Sequence, residues 1–104
     1  MIIVNTENIP GKSIKSSLGL VRGNTIRARH IGKDIVAGLR GIVGGEIVEY
    51  TKLIAEAREQ AIDRMLAEAG KLNADAVINV RFTTSVIMGG AAELLAYGTA
   101  VKLS

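Results

Sequence analysis

Residues 46–72 read EIVEYTKLIAEAREQAIDRMLAEAGKL, and this stretch decides the fold. Ile47, Tyr50, Ile54, Ala57, Ala61, Met65, Ala69 and Leu72 recur every three or four residues. That is the period of a helix with one buried stripe. Lys52, Glu56, Glu59, Asp63 and Arg64 fall on the opposite side, where water can solvate them. Glu46 and Glu49 stand in the expected first turn, where carboxylates favour the helix dipole. Asn73 is the expected left-handed stop. The stripe facing the rest of the chain is rich in alanine, so whatever packs on it can approach closely.

Working outward, the chain changes period on both sides. After the helix, Ala76, Ile78, Val80 and Phe82 alternate with Val77, Asn79, Arg81 and Thr83. Leu95, Tyr97, Thr99, Val101 and Leu103 alternate with Ala96, Gly98, Ala100 and Lys102. Both segments read as strands, with Met88-Gly89-Gly90 as their hairpin turn. Before the helix, Ile2–Val4 reads as a short strand and Asn8-Ile9-Pro10-Gly11 as a turn. Ser13–Ala28 reads as a long strand or hairpin, in which Gly19 and Gly23 mark a bulge, a bend or a close backbone approach. Asp34 is placed to cap a short helix through Leu39, broken up by Gly38, Gly41, Gly44 and Gly45. The expectation is one α+β domain over residues 1–104, a two-layer sandwich of a long helix on an antiparallel sheet.

Composition bounds the chemistry. The 104 residues fit one domain, and 48% are hydrophobic with only Phe82, Tyr50 and Tyr97 aromatic. A mean hydropathy of +0.30 is high for so small a monomer, which points to apolar surface covered by other copies of the chain. No apolar run reaches the ~18 residues a membrane-spanning helix needs. The first residues lack the basic segment of a signal peptide, so a cytoplasmic protein is expected. There is no cysteine. Net charge is +3, unevenly spread: residues 1–45 carry seven Lys or Arg against two Asp or Glu, and residues 46–104 carry six against eight.

Gly44-Gly45-Glu46, Tyr50, Ala57-Arg58 with Ala61, Ala74-Asp75-Ala76-Val77 and Gly98-Thr99-Ala100-Val101 occur in this order between Ile14 and Lys102. In them the chain resembles the YbjQ-like family. The resemblance implies a compact subunit that assembles into a ring, typically a pentamer, with short extra strands joining neighbours. It implies no defined activity. It places any ligand at a subunit interface around Gly44, Gly45, Glu46, Tyr50 and Tyr97. The family is sometimes labelled heavy-metal-binding.

The residues do not follow that label. Transition-metal sites gather several Cys, His or carboxylate ligands on one centre, and this chain has no Cys and one His, His30, set between Arg29 and Ile31. Metal binding would need copies of His30 or a carboxylate around a ring axis; no metal ligand and no cofactor is expected from the chain itself. Gly11-Lys12-Ser13 resembles the tail of a phosphate loop but has Thr6 where the motif needs glycine. Gly44-Gly45 precedes the long helix, whose free N–H groups could hold an anion, though Glu46 and Glu49 compete. No serine or threonine stands in a recognisable nucleophile pattern; Glu46 and Glu49, three apart on one helical face, could act as paired carboxylates, the lesser alternative being an interfacial enzyme. Arg22, Arg27, Arg29 and Arg40 form a basic stretch without interleaved aromatics, the alternative being a ring that binds anions or nucleic acid through its backbone. The helix's acidic outer face has the wrong sign for anionic lipid. The expected reading is a homo-oligomeric structural or ligand-binding protein.

Overall fold

The structure is a computed structural model that describes residues 1–28, 42–43, 46–88 and 91–104. The strands are β1 (Ile2–Ile3), β2 (Ile14–Ala28), β3 (Ile42–Val43), β4 (Glu46–Ile47), β5 (Ala76–Met88) and β6 (Ala91–Leu103). One helix among the described residues, α1, spans Val48–Lys71. The main sheet runs β1-β5-β6-β2, and β3 pairs with β4 in a separate two-residue ladder.

The α+β sandwich is as expected, but the sheet is mixed. β1 lies parallel to β5, with Ile2 opposite Ala76 and Ile3 opposite Val77, whereas β5, β6 and β2 are antiparallel. Backbone bonds from Val4 N–H to the Val77 carbonyl and from Val80 N–H to the Val4 carbonyl fix this parallel edge. The strands are also longer than their alternation indicated. The β5–β6 ladder continues to Met88 and Ala91, either side of Gly89-Gly90, which lie outside the described residues. Glu46 belongs to β4, opposite Val43, and not to the helix: the β3–β4 ladder claims its backbone before the helix begins. The expected short helix at Asp34–Leu39 lies outside the described residues.

Ala57, Ala61, Met65 and Ala69 are buried and face the sheet with Val21, Val77, Leu94, Ala96 and Ala100. The alanine stripe lets the helix come down onto β2. A Cβ added at Gly23 would collide with the backbone of Ala61, Arg64 and Met65. Gly23 is therefore the close approach, whereas Gly19, at φ +113°, sits at a register shift in β2. Gly98 serves a neighbouring strand: a Cβ there would press on Val77 and the Ile78 carbonyl. Buried Thr25 donates its hydroxyl to the Ala57 carbonyl at 3.1 Å, a polar stitch inside an aliphatic interface. After α1 the chain turns at Asn73, whose φ of 59° is the left-handed stop. Asp75 braces this turn: its carboxylate accepts the Leu103 N–H at 2.9 Å and pairs with Lys102 at 3.5 Å. The backbone bond from Leu103 is the main reason its carboxyl lies below the ordinary value, with Lys102 adding to it.

The other sheet face is only partly covered. Ile9 packs there on Ala76, Ile78 and Val101. It sits at the start of a turn in which Lys12 N–H bonds the Ile9 carbonyl, Pro10 supplies the fixed φ and Gly11 the φ of +79°. Beyond Thr99 no described element covers this face.

The chain is not compact. Its Cα radius of gyration is 17.0 Å and its extents are 53 × 26 × 16 Å. A globular chain of this length has a radius of about 13 Å. Leu20, Ile26, Phe82 and Val86 are 63%, 59%, 45% and 81% exposed.

Candidate functional site

Strand pairing brings together residues from the two candidate sets that the sequence kept apart. Tyr97 of β6 lies directly opposite Arg22 of β2. On its other side it lies opposite Arg81 of β5. The three form one row across the sheet. Alternation along β6 decides which face they occupy: Leu94, Ala96, Gly98 and Ala100 are buried towards the helix, so Leu95, Tyr97 and Thr99, each half-buried, look the other way. In β2, Val21, Gly23 and Thr25 face the helix, which puts Leu20, Arg22, Asn24 and Ile26 on the open face. Tyr97 thus stands with Leu95 and Thr99 along its strand, exposed Leu20 on a diagonal, and a cationic residue on either side.

Arg81 is held in place. Its Nη1 donates to the Asn5 carbonyl at 2.6 Å and to the Val80 carbonyl at 3.1 Å. Those bonds use Nη1 and hold the guanidinium on the β1 side of β5. The side chain borders two open depressions. One, of about 520 Å³, is lined by Asn5, Thr6, Glu7, Asn8 and Asn79. The other, of about 440 Å³, is lined by Ile3, Ile62, Val80 and Phe82. Asn79, at φ 53°, lies between the paired positions Ile78 and Arg81, where the register shifts. That shift sets Arg81, two residues on, opposite Tyr97. On the same face the Glu93 carboxylate accepts the Asn24 side-chain N–H at 3.2 Å.

The remaining candidates divide cleanly. Arg27 is structural: its Nη2 donates to Gln60 Oε1 of α1 at 2.8 Å, a tie between helix and sheet. Arg64 makes a similar tie to the Asn24 carbonyl at 2.6 Å. Glu46 is placed by its backbone in β4, and Tyr50 by its backbone in the first turn of α1. Gly44, Gly45, Arg29, His30 and Arg40 lie outside the described residues. Arg81 was missed by sequence reasoning. Its alternation put it on a solvent face, but only the pairing register sets it beside Tyr97.

Among the described residues, no three of His, Cys, Asp or Glu come together as a metal centre. The carboxylates that have partners are spent on them: Glu68 on Lys71, Asp75 on Lys102 and Leu103, Glu93 on Asn24. The described residues therefore do not fit a resident heavy metal. No helix among them is long and apolar enough to cross a membrane.

A long helix on one face of a mixed sheet defines a small two-layer α+β fold. The chain belongs to the YbjQ family, whose model, described as "Putative heavy-metal-binding", matches residues 1–104. It is 61% identical to a UPF0145 protein of Methanosarcina acetivorans over 99% of this chain and 97% of that one. It is 62% identical to a UPF0145 protein of Archaeoglobus fulgidus over 99% and 95%. A crystal structure of a protein of unknown function from Pediococcus pentosaceus, assigned to the DUF74 family, has the same fold: TM-score 0.68, 16% identity, 100% of this chain and 98% of that chain covered.

Proposed function

We propose that this chain is the subunit of a homo-oligomeric ring, a pentamer on the family's pattern, that binds a small ligand on the sheet face around Tyr97. The observation that carries the assembly is the subunit's extension. It exposes 6798 Å². A compact chain of 11.0 kDa exposes about 5,600 Å². The excess, roughly 1,200 Å², is of the order that one partner buries in a stable interface. Exposed Leu20, Ile26, Phe82 and Val86 supply apolar surface for it. The outer edge of β2 and the far part of β5, which pair with no further strand among the described residues, offer backbone groups to a neighbour. Binding is supported by the row itself, which sets Tyr97 between Arg22 and Arg81 in the strand register.

Native mass spectrometry tests the assembly. The expected result is one complex at a whole multiple of 11.0 kDa, five for the pentamer, with any retained ligand weighed as excess mass. A single-chain mass at micromolar concentration overturns it.

A further inference from the structure

We infer that the depression between residues 5–8 and β5 binds a small zwitterion of the amino-acid class, its carboxylate on Arg81 and its ammonium group on Glu7. This site is separate from the Tyr97 face and does not depend on a ligand there.

Hydrogen bonds between the two segments build the depression. The Asn79 N–H donates to the Thr6 carbonyl at 3.0 Å, and Thr6 Oγ1 donates to the Asn8 carbonyl at 2.7 Å. Glu7 lies between these two anchored residues. Asn79, at φ 53°, occupies the register shift between Ile78 and Arg81, so β5 leaves its regular path here. One residue pair further on, Arg81 Nη1 donates to the Asn5 carbonyl at 2.6 Å. Residues 5–8 are thus tied to β5 at two points. Between the ties, Glu7 and Arg81 line one depression of about 520 Å³, together with Asn5, Asn8 and Asn79. Small-molecule pockets span about 300–1,000 Å³.

The charges of this depression are what select the ligand. Glu7 and Arg81 have opposite signs and share one depression, yet they do not pair. The ion pairs among the described residues join Lys71 to Glu68 and Lys102 to Asp75 instead. The carbonyls of Asn5 and Val80 take bonds from Arg81 Nη1, and Nε and Nη2 have no acceptor among the described residues. A lone anion on Arg81 is opposed by Glu7, and a lone cation on Glu7 is opposed by Arg81. A molecule that carries both charges answers each side and adds no net charge. Its ammonium group supplies donors to the carboxylate, and its carboxylate supplies paired oxygens to the planar guanidinium. The carboxamides of Asn5, Asn8 and Asn79 both donate and accept, which suits a polar side chain on the ligand.

The test is a titration of the full-length, nitrogen-15-labelled protein with L-glutamine, with the amide signals of residues 5–8 and 79–81 followed by NMR. Acetate and methylammonium present each charge alone, and glucose presents a neutral polar molecule. The expected result is a saturable shift of these signals at millimolar L-glutamine, with far weaker responses to the other three. Glu7→Gln keeps the size of an exposed side chain, so its circular dichroism and native mass should match wild type. It is expected to weaken L-glutamine binding about tenfold, as loss of one charged hydrogen-bond partner does. The absence of a saturable shift with L-glutamine overturns the inference. So does an equal response to acetate, methylammonium or glucose, and so does Glu7→Gln binding as tightly as wild type.

Discussion

Replacing Gly23 by alanine should destabilise this protein, although backbone preference alone says the opposite. Neither Gly23 nor Gly70 has a left-handed φ, so alanine strains neither backbone. On entropy alone each change stabilises by about 0.4–1 kcal/mol. The surroundings differ. A Cβ at Gly70 meets nothing within 4 Å, whereas one at Gly23 collides with the backbone of Ala61, Arg64 and Met65. Backbone cannot turn aside as a side chain can, so α1 must lift off β2. Overpacking costs about 1–3 kcal/mol, and the rigid neighbours place this site at the upper end. Lifting also loosens Ala57, Met65 and the Thr25 hydrogen bond. The net expectation is a loss of about 2 kcal/mol, or a fall in Tm of roughly 8–16 °C. Gly70→Ala, within α1, should gain up to about 1 kcal/mol. Urea and thermal unfolding followed by far-UV circular dichroism, at one fixed protein concentration because association adds stability, measure both variants. A Gly23→Ala protein as stable as wild type would refute the close helix–sheet contact.

Two further outcomes follow from the same framework. Thr25→Val keeps shape but removes the bond to the Ala57 carbonyl, and chemical denaturation should show a loss of about 0.5–1.5 kcal/mol. Asp75 has a depressed carboxyl pKa in the folded state, so its contribution is present above its unfolded value, ordinarily 3.8, and fades as pH falls through the lower folded value. Asp75→Asn keeps an acceptor for Leu103 but does not titrate, so its unfolding midpoint should change less between pH 5 and pH 2 than that of wild type, roughly the window in which a paired carboxylate takes up its proton; equal slopes would dismiss the role given to Asp75.

The helix was legible because Ala57, Ala61, Met65 and Ala69 repeat on one face. Gly23 and Asn73 were legible because only a crowded contact or a left-handed turn explains such residues there. The parallel edge was not, since two residues of β1 carry no period. Nor were the far ends of β5 and β6: Thr83, Thr84, Ser85 and Val86 are all exposed, so no buried face imposes alternation. The row around Tyr97 was half legible. Tyr97 and Arg22 stood out separately, but their adjacency is a property of strand pairing. Two register shifts, beside Gly19 and Asn79, prevent it from being counted along the chain.

The sheet order has a consequence for how this chain is made. Among the described residues β2 pairs with β6 in the main sheet, and β6 is synthesised long after β2. From Ala28 to Leu103 a ribosome moving at about 5–20 residues per second takes roughly 4–15 s. Throughout that interval β2 is a finished strand with Leu18, Leu20, Val21 and Ile26 and no partner. Helix α1 can form early, but it has no sheet to lie on. The nascent polypeptide is therefore exposed to mispairing until β6 emerges to pair with β2.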